Sequence, residues 1–113
     1  MTQACIFCRI VAGEIPATVV HEDERVLAFR DLDPVAPTHV LVIPKEHQPT
    51  VADLARTDPA TLAAIVEVAA RIADAETGGS HRLVFNTGEA AGQSVLHVHG
   101  HVIGGRSLQW PPG

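Results

Sequence analysis

Three histidines stand at alternate positions in His97-Val98-His99-Gly100-His101. In an extended strand alternate side chains share a face, so the three imidazoles are expected on one side of a strand over residues 95–103. The other side would offer Leu96, Val98, Gly100 and Val102 to a packing helix. A row of imidazoles is poor core material, because every ring needs hydrogen-bond partners. It suits chemistry near neutral pH, where histidine acts as nucleophile, base or acid. Solvated surface histidines are the bland alternative; the clustering beside a glycine-bearing loop argues against it. A catalytic metal held by two of the three is another, and the run contains no acidic residue to complete such a site.

The neighbouring loop is Gly88-Glu89-Ala90-Ala91-Gly92-Gln93-Ser94. Its glycines permit tight turns that aim backbone N–H groups at an anion, and Ser94 adds a hydroxyl. The Lys-Ser/Thr ending of a P-loop is missing. Directly before three histidines the loop reads as a phosphate cradle; alone it would read as a plain turn. A second cluster is Cys5-x2-Cys8, which has the spacing of half a zinc site or is simply two reduced thiols. His97 and His101 share an x3 spacing, but in a strand they stand roughly 13 Å apart, too far to hold one ion.

These groups need a scaffold. Near-helical spacing of Ile6, Phe7 and Ile10 before Gly13 predicts a short helix. Strands are predicted over residues 18–22, 26–31, 39–43, 82–86 and 95–103, mostly joined by short turns. Pro34 and Pro37 make residues 33–38 a loop. Asp58 and Pro59 open one long helix as N-cap and first position, and Gly78-Gly79 closes it. Leu62, Ile65, Val66, Ala69, Ile72 and Ala73 trace its apolar stripe. The expected fold class is α+β: a five-stranded antiparallel sheet with one long helix and one or two short ones.

The 113 residues fit one domain over 1–113, and the 46% hydrophobic content suffices for one core. With a formal net charge of -5 and only eight Lys and Arg, a broad basic patch for extended nucleic acid is excluded; a single nucleotide is not. The start carries no basic region followed by an apolar stretch, and no apolar run reaches membrane-spanning length. A cytoplasmic protein without a membrane partner is expected. Cys5 and Cys8, three apart, cannot build a disulfide framework.

The histidine run resembles the signature of the histidine triad family of nucleotide hydrolases and transferases, His-φ-His-φ-His-φ-φ with φ apolar, read here as His97 to Ile103 with Gly100 as the loose fit. The likeness extends over nearly the whole chain, including Ala36-Pro37-Thr38-His39, Val42-Ile43-Pro44-Lys45, Gly92-Gln93-Ser94-Val95 and Trp110-Pro111-Pro112-Gly113. The Pro37-Thr38-His39 and Trp-Pro-Pro-Gly segments are most similar to the Hint branch, the purine nucleoside phosphoramidate hydrolases. Ala91 departs from that branch, which usually has glycine there, so its methyl group is expected to bear on the width of the loop.

The resemblance implies a HIT-like fold and a role for each position. His99 would attack the α-phosphorus and form a nucleotidyl-histidine, which water then releases. His101 and His39 would contact the phosphate or assist proton transfer, with His97 completing the triad. Asn86, Gly92, Gln93 and Ser94 would hold the α-phosphate and leaving group, and Asp31 the ribose hydroxyls. Ile6, Phe7, Ile10, Phe29 and Leu41 would line the base pocket, where the bland reading is simply core. A homodimer with a ten-stranded sheet is implied, its Trp110 tail reaching toward the partner's active site; the short acidic chain and Trp-bearing tail point the same way. In some relatives zinc joins two such cysteines to two histidines. Here these would be Cys5, Cys8, His47 and His97, a structural ion the chemistry at His99 does not need. The favoured substrates are AMP or GMP amides. Diadenosine polyphosphate hydrolysis or nucleotidyl transfer, and a non-catalytic nucleotide-binding scaffold, are the alternatives.

Overall fold

A computed structural model describes residues 5–113. Five strands form one sheet: β1 (Val19–Glu22), β2 (Val26–Arg30), β3 (Thr38–Pro44), β4 (His81–Phe85) and β5 (Gly100–Gly104). Their spatial order is β1-β2-β3-β5-β4, and every neighbouring pair is antiparallel. The helices are α1 (Ile6–Val11), α2 (Val51–Thr57) and α3 (Pro59–Thr77). This is the α+β class expected. None of the described helices is long and apolar enough to cross a membrane.

β3 is buried along its whole length, as its unbroken apolar run requires. Its residues divide by parity. Val40 and Val42 face α3 in a cluster with Ile65, Val68 and Val102. Leu41 and Ile43 face the other way, with Phe7 of α1, Leu27 and Phe29. The catalytic candidates lie on this second face.

α3 begins as its sequence dictates. The Asp58 carboxylate accepts from the Thr61 backbone N–H at 3.2 Å, and Pro59 occupies the first turn. It ends on Gly78, whose φ of 68° is left-handed. Two details of its stripe differ from expectation. Val68 is buried, whereas Val66 is 48% exposed. Thr61, Ile65, Val68 and Ile72 follow the 3.6-residue period, and Val66 falls on the flank of that row. The second short helix is α2, capped by the Thr50 hydroxyl and anchored by buried Leu54.

The largest correction concerns β5. It starts at Gly100, not at residue 95. Residues 95–97 bend away from the sheet, and the Val98 N–H donates to the Gln48 carbonyl at 2.8 Å instead of to a strand partner. Leu96, expected against the long helix, is 64% exposed. Val98 and Val102 do pack on the helix side.

Candidate active site

β5 carries His101 opposite Leu41 of β3, and His39, the second residue of β3, stands opposite Ile103. These registers bring His39 Nε2 to 2.9 Å from His101 Nδ1. The tautomers follow from the surrounding bonds. The Val35 backbone N–H donates to His39 Nδ1 at 3.1 Å, so neutral His39 carries its proton on Nε2 and donates it to His101 Nδ1. Neutral His101 then bears its proton on Nε2, a buried atom with no hydrogen-bond partner among the described residues. Asp31 Oδ2 stands 3.5 Å from the same His39 Nε2, a charge contact beside the hydrogen bond to His101. Burial, with help from His99 and His39 and against Asp31, pulls His101 down to about 4, so it is neutral at pH 7.

His99 is buried beside this pair, its ring centroid 5.0 Å from that of His101. Its Nδ1–H donates to the His97 carbonyl at 2.8 Å. The proton is thereby fixed on Nδ1 and a lone pair is left on Nε2, the form a nucleophilic imidazole needs. Phe7 meets His99 edge-on at 5.1 Å and His97 at 5.9 Å.

His97 turns elsewhere. Its Nε2–H donates to the Pro44 carbonyl at 2.9 Å, which leaves Nδ1 unprotonated. That Nδ1 lies 3.3 Å from Cys5 Sγ, 3.5 Å from Cys8 Sγ and 3.1 Å from His47 Nδ1, and Cys8 Sγ lies 3.3 Å from His47 Nδ1. All four donor atoms fall within 4.8 Å of one another. Zinc with arms of about 2.3 Å to sulfur and 2.0–2.1 Å to nitrogen has tetrahedral edges of about 3.3–3.8 Å. The observed separations match within a few tenths of an ångström. A backbone carbonyl behind a ligating histidine is the usual outer support of such a site. Burial above all holds His97 in the neutral, ligating form. Burial and the adjacent Cys5 push the Cys8 thiol up to about 11, the direction a cation among the donors would reverse.

Asp31, His39 and His101 are also close enough to share an ion. The Val35 N–H on His39 Nδ1 argues against that, because a neutral imidazole accepting there has no lone pair to offer at Nε2. Two clusters of similar compactness therefore have opposite chemistry: one presents lone pairs to a common point, the other passes hydrogen bonds along a line.

Phe7, whose ring meets His99, is part of the wall of an apolar cavity of about 220 Å³. Ile6, Phe7, Ile10, Phe29, Leu41 and Asp31 all line it.

The family model of the HIT domain matches residues 12–108. The chain belongs to the HIT family. A HIT-like protein of Synechocystis sp. is 44% identical over 114 residues, spanning both chains completely. Among solved structures, a HIT family hydrolase from Legionella pneumophila is 51% identical with a TM-score of 0.92, covering 96% of this chain and 99% of that one. A Zn-bound histidine triad family protein from Mycobacterium smegmatis is 38% identical with a TM-score of 0.80, over 94% of this chain and 78% of that one.

In this HIT protein the phosphate-loop candidates are organised in two ways. Gly92 adopts φ 95°, and a Cβ there would stand 3.6 Å from Asn86 Nδ2, so loop and Asn86 are adjacent. Gln93 is buried and holds the loop itself: its Oε1 accepts from the Gly88 N–H at 3.0 Å, and its Nε2 donates to the Pro49 and Val95 carbonyls. Its side-chain amide is thus committed to the protein, whereas Ser94 is exposed. Ala91 is exposed in a single 3-10 turn and keeps a negative φ, so its methyl group costs no backbone strain.

Gly100 is explained by its neighbours. A Cβ there would come within 2.9 Å of Leu83 and 3.0 Å of Phe85. Those two side chains fill the space that an apolar residue of the signature would take. Trp110 is not brought to the cavity of its own chain. It is 81% exposed and lies 5.9 Å from the Arg82 guanidinium.

Contributors not foreseen from the residues are the Pro44 carbonyl, the Val35 N–H, and the cavity residues Ile15, Pro16, Ala17, Arg30 and Leu32. The first two are main-chain atoms, which side-chain chemistry cannot flag. Leu32, directly after Asp31, was open to suspicion as an apolar residue in a polar turn.

Proposed function

We propose that this chain cleaves nucleoside 5′-phosphoramidates of purines, AMP or GMP joined to an amine, through a nucleotidyl-histidine on His99. The observation that carries the reading is the pairing of a fixed lone pair with an unspent donor. His99 Nε2 is freed by the bond from Nδ1 to the His97 carbonyl, and the buried Nε2–H of His101 stands beside it without a partner. Phe7, which meets the His99 ring, and Leu41, the cross-strand partner of His101, line an apolar cavity that Asp31 also lines.

His99 Nε2 attacks the α-phosphorus, and the bond from phosphorus to the amine nitrogen breaks. His101 donates to a phosphate oxygen. The bound anion raises its affinity for a proton, so His101 takes one up from solvent as the substrate binds; the imidazolium then protonates the departing nitrogen and is left neutral. In the second half, neutral His101 takes a proton from water as water attacks phosphorus, releasing the mononucleotide and free His99. Asn86, Ser94 and the backbone at Gly92 hold the phosphate, with Gln93 bracing their loop. Asp31 accepts from the ribose hydroxyls, and the base lies against Phe7, Ile10, Phe29 and Leu41. The hydrolase named among the solved relatives supports a hydrolytic outcome.

Cys5, Cys8, His47 and His97 hold a structural zinc, as their donor set and the zinc-bound relative support. Such an ion contributes folding energy. The active form is a homodimer. Leu32 at 98%, Trp110 at 81% and Val35 at 55% exposure are large apolar groups that a second copy would cover.

The test is mass spectrometry of protein quenched during turnover of an adenosine 5′-phosphoramidate. An AMP adduct on His99, lost in His99→Ala, is the expected result. Turnover that survives His99→Ala refutes the nucleophile, and absence of turnover refutes the substrate class.

A further inference from the structure

Helix α1 has two faces of consequence. One carries Ile6, Phe7 and Ile10 into the cavity wall. The other end carries Cys5, its N-cap, and Cys8, whose backbone N–H donates to Cys5 Sγ at 3.3 Å. The helix is six residues long, and Phe7 is its one buried residue. Isolated helices below about 12–15 residues are marginal in water. The buried Phe7 ring, the partly buried Ile10 and Val11 and the two thiols tie this wall to the rest of the molecule. The thiols meet His47 and His97, and the His97 carbonyl is the acceptor that orients His99. Phe7 touches both His97 and His99.

We propose that Cys5 and Cys8 are positioning residues for catalysis: zinc held between them and His47 and His97 fixes α1 as the wall of the nucleoside cavity and fixes the carbonyl that aims His99. The inference rests on the reading of the cavity and of the zinc given above. It makes substrate affinity a function of metal occupancy. A wall docked a tenth of the time raises the apparent Kd about tenfold, because only the docked fraction is competent to bind. The bulk of the sheet and α3 packs without these four residues, so the effect stays local.

The test compares the zinc-loaded full-length protein, the same protein stripped by a chelator, and Cys8→Ser. Amide hydrogen exchange is followed across α1 and residues 95–99, with α3 as the reference, and AMP is titrated in parallel. Stripping and Cys8→Ser are expected to deprotect α1 while α3 keeps its protection, and to weaken AMP binding about tenfold. Unchanged protection of α1 overturns the proposal. So does loss of protection in α1 and α3 together, which would make the centre a general staple, and so does an unchanged AMP Kd alongside a deprotected α1. Failure of the zinc-loaded protein to bind AMP at all refutes the nucleotide reading instead, and the exchange comparison still decides whether the metal holds the wall.

Discussion

Replacing Gly100 by alanine puts a methyl group where two side chains already are. The added carbon would lie 2.9 Å from Leu83 Cδ1 and 3.0 and 3.1 Å from the Phe85 ring. The Leu83 end can yield by a rotamer adjustment. Phe85 is the cross-strand partner of Gly100 and is packed on the helix-side core, so its ring has little room to move. Overpacking of this kind costs about 1–3 kcal/mol. Removing a glycine from a strand returns about 0.5–1 kcal/mol. The net expectation is destabilisation by about 1–2 kcal/mol, which lowers Tm by roughly 4–8 °C in a domain of this size. Urea unfolding and calorimetry measure it. The same substitution in a Leu83→Ala background, where one of the two obstacles is gone, should cost less. A Tm equal to or above that of the parent chain would refute the claim that Leu83 and Phe85 occupy the missing side chain's volume.

Three further outcomes are expected. His101 sits near 4 in the native chain and near its ordinary 6.5 when unfolded. Between those values the unfolded chain binds a proton that the native chain refuses, so stability falls as pH drops from 6.5 to 4, by up to about 3 kcal/mol. Urea titrations of the parent and His101→Gln at pH 7 and 4.5 should show the parent losing more, and parallel losses would sink the assignment. Asp58→Ala removes the acceptor for the Thr61 N–H and hydroxyl and should cost about 1 kcal/mol in thermal unfolding. Asp31→Asn should cut the preference for AMP over its 2′,3′-dideoxy analogue roughly 10- to 100-fold in equilibrium binding, the worth of hydrogen bonds to a charged acceptor. An unchanged preference would remove Asp31 from the ribose.

The sheet and α3 were legible because their signals are local. Alternation, Asp58-Pro59 and Gly78-Gly79 act within a few residues, and four of the five strands match to within one residue at either end. The bend before β5 was not legible. It is set by partners far along the chain, since His97 must reach Cys5, Cys8 and His47 while donating to the Pro44 carbonyl. Alternation alone placed three imidazoles in a row. The protein instead divides them, with His97 turned to the thiols and His101 to His39. The cavity residues on α1, β2 and β3 came from family likeness, because apolar spacing cannot tell a binding wall from core. The tautomers of His39, His97 and His99 depend on the carbonyl and amide positions of a folded main chain, and no sequence pattern encodes them directly.

β3 joins the two histidine clusters by its ends. His39 lies at its start and the Pro44 carbonyl at its finish, five steps apart, or about 17 Å along an extended strand. The strand is thus a spacer bar of set length. One residue inserted between Val40 and Ile43 would reverse the parity of everything beyond it, turning His39 or the far apolar row to the wrong side. Length variation among chains built on this plan is therefore expected after residue 105, with sequence drift on the outward side of α3. A library aimed at what the cavity accepts should leave residues 38–44 intact and diversify the cavity rim.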